Sequence, residues 1–157
     1  MAPEKTTDVR KPRRTDSTPV FTPDRANRAL VLVRRIVADI VARYRHFTEL
    51  RREREQLLRS AATRTAARPA TAIRDERMEE LNDAIDRCGE VLHAFNRELL
   101  ATGCVLKDWR TGLVDFPAVY QGRRVWLSWQ PGEPFVAYWH EGHEGRAGRF
   151  PIDADFN

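Results

Sequence analysis

The chain of 157 residues is long enough for one domain with a hydrophobic core, and it carries a net charge of +4 with 32% charged residues. No stretch approaches the ~18 consecutive apolar residues of a membrane-spanning helix. No apolar block follows the basic N-terminus, so we expect no secretory leader. The two cysteines, Cys88 and Cys104, provide neither a disulfide framework nor a paired-cysteine zinc motif. We therefore expect a cytoplasmic protein without a membrane segment.

Residues 1–20 mix charged residues, threonine and proline with almost no large apolar side chains, which predicts a disordered basic tail. Thr22 then suits a helix N-cap, and Pro23 suits the first helical position. Downstream, apolar residues recur at alternating intervals of three and four, which predicts a helix with a coiled-coil-like face. These residues are Ala26, Leu30, Val33, Val37, Ile40, Tyr44 and Phe47. The pattern weakens beyond them, and residues 60–71 are predicted to form a loop region.

A second helix is predicted by the same spacing, which continues without interruption from Met78 to Leu99. Cys88 lies on this apolar face, so we interpret it as a small buried side chain rather than a reactive thiol. Gly103 follows as a helix stop. Two helices of similar length joined by a short segment should fold back as an antiparallel hairpin over residues 21–103.

A β module is predicted over residues 104–152, because the apolar spacing changes from helical to alternating after Cys104. It should contain an antiparallel sheet of three to four strands, with one face on the base of the hairpin. The loop from Glu141 to Ile152 is expected to fold back over that sheet, and residues 153–157 form a short acidic tail. The predicted fold class is therefore α+β.

Positive charge is concentrated at the predicted hairpin tip, where residues 43–77 carry ten arginines against five acidic residues. Such a stretch can attract nucleic acid, which gives one functional hypothesis. The interpretation we favour is a solvated helix surface with the same charges. An exposed hairpin also leaves helix faces unused, through which the chain could form a homodimer.

Short motifs from both predicted segments occur together in this chain. They include Phe21-Thr22, Ala26-Asn27, Leu106-Lys107-Asp108, Gly112 to Pro117, Gly132-Glu133-Pro134, Tyr138 to Glu141 and Gly148-Arg149. In this order they resemble an uncharacterised bacterial family catalogued as domain of unknown function 2203, over about residues 21–152. The resemblance implies no activity, because the family has none established. Family members tend to have an aspartate and an aromatic residue where this chain has His143 and Arg146.

Side chains with catalytic or metal-binding chemistry are concentrated between Gly132 and Pro151. Imidazole and carboxylate groups could bind a divalent metal here, although their spacing is not that of the helical zinc-protease motif. The metal candidates are His140, Glu141 and His143. A small metal-dependent or acid–base hydrolase is the corresponding enzyme hypothesis. Its catalytic candidates are Asp115, Glu133, His140 and Glu141.

The same polar residues could instead hold the β module together. In that interpretation Asp115 and Glu133 satisfy turn amides, and Arg149 pairs with Glu141. Trp129 and Arg149 are the candidates for contacting a ligand on the sheet. We favour a non-enzymatic binding or scaffolding protein whose β module recognises an unknown protein partner or a small ligand.

Overall fold

The computed structural model describes residues 20–62, 68–142 and 148–156, which form two long helices followed by five strands. The predicted tail therefore lies outside the described residues, apart from Val20. Helix α1 spans Pro23–Ala62 and helix α2 spans Arg68–Ala101. The strands are β1 (Val105–Asp108), β2 (Leu113–Tyr120), β3 (Arg123–Trp129), β4 (Tyr138–His140) and β5 (Phe150–Pro151).

The two helices pack as the predicted antiparallel hairpin. The hydroxyl oxygen of Thr22 accepts a hydrogen bond from the Arg25 amide at 3.3 Å, which confirms Thr22 as the N-cap of α1. Cys88 is buried on α2, as its place in the apolar pattern predicts. Within the described part of the chain, no helix is long and apolar enough to cross a membrane.

The loop predicted over residues 60–71 is too long. Helix α1 continues to Ala62 and α2 already begins at Arg68, so only residues 63–67 lie between them, outside the described residues. Alanine and arginine are strong helix formers, and proline is tolerated in the first helical turn, where its missing N–H has no partner to lose.

The sheet is a five-stranded antiparallel meander in the order β1-β2-β3-β4-β5, one strand more than the upper prediction. The additional strand is β5, which pairs with β4 through Tyr138 opposite Pro151 and Trp139 opposite Phe150. The chain beyond residue 147 therefore does return to the sheet, and it does so as an edge strand. Residues 143–147 are outside the described structure.

Strand β2 contains Pro117 and continues beyond it to Tyr120. Strand β1 pairs only with the first half of β2, so Pro117 has no β1 partner that would require its missing N–H. Its carbonyl instead accepts a hydrogen bond from the Phe21 amide at 2.7 Å. The Phe21 ring packs edge-on against Phe116, which joins the start of α1 to the sheet.

Alternation along the strands gives the sheet two different faces. One face packs on the base of the hairpin and forms the main core with the first half of α1. Its strand residues include Val114, Phe116, Val125, Leu127 and Trp129. The opposite face, which we call the outer face, carries the buried polar residues Asp115, Ser128 and His140.

Candidate functional site

Asp115 and His140 form a buried contact pair on the outer face. His140 Nε2 lies 3.1 Å from Asp115 Oδ2, and the side chains are 4% and 2% exposed. Asp115 is on β2 and His140 is on β4, so β3 runs between them. The register places Ser128 opposite Asp115, and Trp126 opposite His140. Because Trp126 and Ser128 are two residues apart on β3, all four side chains share one face.

Ser128 is the third polar residue of this cluster, and it was not among the site residues predicted from the sequence. The available signal was its position in β3, where it alternates with the core residues Leu127 and Trp129. Only the strand register shows that it lies directly opposite Asp115. A serine in a half-buried strand is too common for the sequence alone to identify it as part of a site.

Four buried side-chain atoms around this cluster have no hydrogen-bond partner among the described residues. They are Asp115 Oδ1, Ser128 Oγ, His140 Nδ1 and Arg149 Nε. A buried polar group without a partner costs about 1–3 kcal/mol, and native proteins contain few of them. Their concentration on one face of one sheet therefore distinguishes this region from the rest of the described structure.

Arg149 and Glu133 form a second buried pair beside the cluster. The guanidinium donates to both carboxylate oxygens, at 2.6 and 2.8 Å, and also to the carbonyl of Ser128 at 3.0 Å. The Tyr138 ring lies beneath it, with 4.5 Å from the guanidinium carbon to the ring centroid. Glu133 also accepts from the Gln130 amide at 3.0 Å, which confirms that it satisfies a turn amide. This pair joins the β3–β4 loop to the chain before β5.

The predicted pairing of Arg149 with Glu141 is wrong. Glu141 follows the last residue of β4, and its half-exposed carboxylate contacts Arg123 at 2.9 Å. Asp115 likewise satisfies no turn amide, because it lies within β2 and its described partner is His140. The candidates therefore separate into two buried pairs, while Glu141 lies apart from both.

The metal-binding candidates do not come together in the described structure. No group of three or more histidine, cysteine or acidic side chains there has a geometry that could hold a metal ion. Asp115 and His140 could supply one oxygen and one nitrogen ligand. Glu141 is directed to Arg123 instead, and His143 lies outside the described residues.

Trp129 is a core residue whose indole N–H donates to the Glu133 carbonyl at 2.9 Å. The guanidinium of Arg34 on α1 lies over its ring, 5.8 Å from the centroid. A surface groove of about 650 Å³ runs between α1 and the β3–β4 loop at this point. Trp129 lines that groove, and its main role is to pack in the core.

Asp108 and Cys104 lie near the site but have local structural roles. Asp108 accepts hydrogen bonds from the amides of Arg110 and Thr111 at 2.7 and 3.2 Å. Burial alone would raise the pKa of Asp108, but these hydrogen bonds outweigh it and lower the pKa. Burial raises the pKa of the Cys104 thiol to about 11, which keeps it protonated and unreactive.

The arginines of the hairpin tip are partly neutralised by neighbouring carboxylates. Arg77 contacts Glu53 on the other helix at 2.7 Å and Glu80 at 2.8 Å, and hydrogen bonds to Glu80 and Glu53 raise its pKa. Arg59 pairs with Glu55 one turn away. These contacts reduce the positive charge that the tip can offer to nucleic acid.

Comparison with known proteins gives a family match and no closer relative. The model of the family described as "Uncharacterized conserved protein (DUF2203)" matches residues 19–152. No curated protein and no solved structure matches the chain. The matched segment contains both helices, all five described strands and both buried pairs. The chain therefore belongs to the family of uncharacterized conserved proteins defined by domain of unknown function 2203.

Proposed function

We propose that the protein binds a small polar ligand, which the outer face of the β module recognises through Asp115, Ser128 and His140. The observation that supports this proposal is the set of unpartnered buried atoms contributed by three adjacent strands. An unpaired polar group is costly in a folded protein, but it gains a full hydrogen bond when a ligand supplies the partner. Both described cysteines are free and buried, which suits a cytoplasmic location.

The unpartnered atoms constrain the chemistry of the ligand. A carboxylate oxygen of Asp115 accepts hydrogen bonds, and the Arg149 Nε–H donates one. The Ser128 hydroxyl can do either, and His140 Nδ1 accepts when the imidazole is neutral. A ligand must therefore present donors and acceptors close together, as a small polyhydroxylated or amide-containing molecule does. A simple anion fits less well, because Asp115 is acidic and Glu133 already occupies the fork of Arg149.

Access to this cluster requires local opening, because all four side chains are largely buried. Local openings cost less free energy than global unfolding, and they are most frequent in short elements. The two-residue strand β5 and the three-residue strand β4 are the shortest strands of this sheet. Separation of β4 and β5 from β3 would expose Arg149 and His140 together.

A hydrolase is the second candidate, because Asp115, His140 and Ser128 are the residue types of a serine hydrolase triad. In such a triad the carboxylate orients the imidazole, and the imidazole takes the proton of the serine hydroxyl as it attacks an acyl carbon. Asp115 and His140 already have the first contact, at 3.1 Å. No hydrogen bond joins Ser128 Oγ to His140 in the described structure, so we prefer the binding role.

A ligand screen by thermal shift tests the binding proposal. Polyols, amides, nucleosides and amino acids would be tested against the wild type, Ser128→Ala and Glu141→Gln. The Ser128 hydroxyl has no described partner, so its removal should leave the fold intact, and Glu141 is an adjacent exposed control. We expect a compound that stabilises the wild type and Glu141→Gln but not Ser128→Ala. Equal stabilisation of all three proteins would argue against this site.

A panel of chromogenic esters and amides tests the hydrolase candidate separately. If the triad is catalytic, Ser128→Ala and His140→Gln should each reduce turnover by about 100-fold or more, while Glu141→Gln retains it. Turnover that is equal in all variants, or absent from the wild type, would remove this candidate and leave the binding proposal intact.

A further inference from the structure

Trp126 differs from the other tryptophans of the chain in the contacts of its side chain. Trp109 and Trp139 contact other aromatic rings, and the indole N–H of Trp129 donates to a carbonyl. No aromatic ring, guanidinium or hydrogen-bond acceptor among the described residues contacts the side chain of Trp126 in this way. The residue is half-buried. Its N–H and part of its flat surface therefore remain available to another molecule.

Trp126 lies beside the unpartnered polar atoms of the outer face. The strand register puts it directly opposite His140 on β4 and Pro117 on β2. It is two residues from Ser128 on the same strand, so Asp115 is its diagonal neighbour. Directly opposed side chains of a sheet are about 5 Å apart at Cβ, and diagonal ones are about 7–8 Å apart. The indole thus borders the cluster formed by Asp115, Ser128 and His140.

Exposure increases along the outer face from this cluster towards the turn between β2 and β3. Asp115 and Ser128 are buried, Trp126 and Pro117 are half-buried, and Val119 is 38% exposed. Trp126 therefore lies at the boundary between the solvent-exposed end of the face and its buried polar groups. A ligand that approaches the polar cluster from the exposed end lies against the indole.

A flat apolar ring beside mixed hydrogen-bonding groups matches the two kinds of surface on a cyclic sugar. The C–H groups of a pyranose form an apolar face that can stack on an indole, while its hydroxyl groups project from the rim. A hydroxyl both donates and accepts, so neighbouring hydroxyls suit the mixed set of Asp115 Oδ1, Ser128 Oγ and Arg149 Nε. A nucleoside base also stacks, but the donors and acceptors on its edge have a fixed order.

We propose that the ligand of the outer face is a neutral saccharide whose ring stacks on Trp126 while its hydroxyl groups bind Asp115 and Ser128. This inference rests on the proposed function, which it narrows from a small polar ligand to one chemical class. Aromatic side chains with a few precisely placed polar groups are typical of small-molecule sites. Trp126 selects a ring over an open chain, and the polar cluster supplies the partners of the hydroxyls.

Isothermal titration and saturation-transfer NMR with neutral saccharides test this assignment on the full chain. The probes are glucose, galactose, mannose and N-acetylglucosamine, and sorbitol is the open-chain control with similar hydroxyl groups. We expect at least one of these saccharides to bind the wild type. Sorbitol should bind about tenfold more weakly or not at all, because it has no ring to stack.

Substitutions of Trp126 test the stacking itself. Trp126→Leu should weaken binding of that saccharide about tenfold, because it keeps apolar bulk but removes the flat ring. Trp126→Phe should restore part of the affinity, which a general loss of folding would not do. Phe150→Leu is the matched control, since Phe150 is also an exposed aromatic residue of the sheet but lies opposite Trp139, on the other face. It should change the affinity less than about twofold.

Ser128→Ala separates this inference from the proposed function on which it rests. Circular dichroism and urea denaturation show first that each variant folds. A ligand that is lost in Ser128→Ala but binds Trp126→Leu as tightly as the wild type would overturn the saccharide assignment and leave the proposed function standing. Equal affinity for sorbitol and the saccharides would do the same. Absence of binding to the wild type, or binding that neither Ser128→Ala nor Trp126→Leu weakens, would overturn both.

Discussion

The imidazole of His140 on β4 lies against the carboxylate of Asp115 on β2, with 3.1 Å between Nε2 and Oδ2. Each group is the described partner of the other, and both are buried away from water. Replacing one alone leaves a buried polar group without a partner, whereas replacing both removes the requirement. This relationship gives a prediction that holds whether or not the pair binds a ligand.

We expect Asp115→Leu and His140→Leu each to lower the free energy of unfolding by about 2–4 kcal/mol. The double variant should lose less than the sum of the two, with a coupling of about 1–3 kcal/mol. Urea denaturation of the four proteins measures this cycle. Strictly additive losses would show that the two side chains do not stabilise each other.

The buried pair of Arg149 and Glu133 should be a strong determinant of stability. Glu133→Gln removes the charge that compensates the guanidinium, and we expect a loss of about 3 kcal/mol in the free energy of unfolding. Glu141→Gln breaks the half-exposed contact with Arg123 and should cost less than about 1 kcal/mol. Chemical denaturation compares the two variants. Similar small losses would contradict the assignment of Arg149 as the link between the β3–β4 loop and the chain before β5.

A glycine is required at position 112 for two reasons, which are its positive φ and its close approach to α1. Its φ is +77°, and an added Cβ would lie 2.5 Å from a methyl group of Val37 on α1. Gly122 has a similar φ of +75° but open space around its Cβ position. We expect Gly122→Ala to cost about 1 kcal/mol, from the backbone alone.

Gly112→Ala should cost about 1–3 kcal/mol more than Gly122→Ala, because the turn must also move away from α1. Thermal denaturation of both variants isolates the steric part. Equal losses of stability in the two variants would mean that a Cβ at position 112 does not clash with α1.

The lowered pKa of Asp108 predicts that the stability of the fold decreases at low pH. The hydrogen bonds from Arg110 and Thr111 lower its pKa in the folded state, so the ionised carboxylate stabilises the fold. That contribution is present above the unfolded-state pKa of about 3.9 and is lost as the pH falls through the folded-state value. We expect Asp108→Ala to cost about 1 kcal/mol at pH 7. The difference from the wild type should shrink below about pH 4, and a difference independent of pH would contradict this role.

The principal elements were accessible to prediction because they depend on short-range patterns. The three-four spacing places Leu30, Val37 and Cys88 on buried helix faces, and the structure confirms each of them. Thr22 caps α1 because its hydroxyl needs only a neighbour three residues away. The change to alternation after Cys104 likewise predicts strands without reference to distant residues. The predicted loop over residues 60–71 was too long because helix-forming residues surround the single proline of that segment.

The contents of the site could be predicted only in part. His140 and Asp115 were recognisable as candidates from their chemistry, but nothing local to either shows that they touch. Ser128 was missed, because its place opposite Asp115 depends on the register of β2 and β3. Arg149 was assigned to the wrong carboxylate, since Glu141 is nearer in sequence while Glu133 is nearer in space.

By itself, the sequence determined the hairpin and the alternating strands, because periodicity and capping act over a few residues. Only the tertiary structure decided which polar groups share the outer face, which carboxylate holds Arg149, and which apolar residues of α1 stay exposed. Those outcomes depend on strand register and helix packing, in which residues far apart in sequence become neighbours. A shift of one residue in the register of β2 against β3 would put Asp115 and Ser128 on opposite faces of the sheet, and the site would not form.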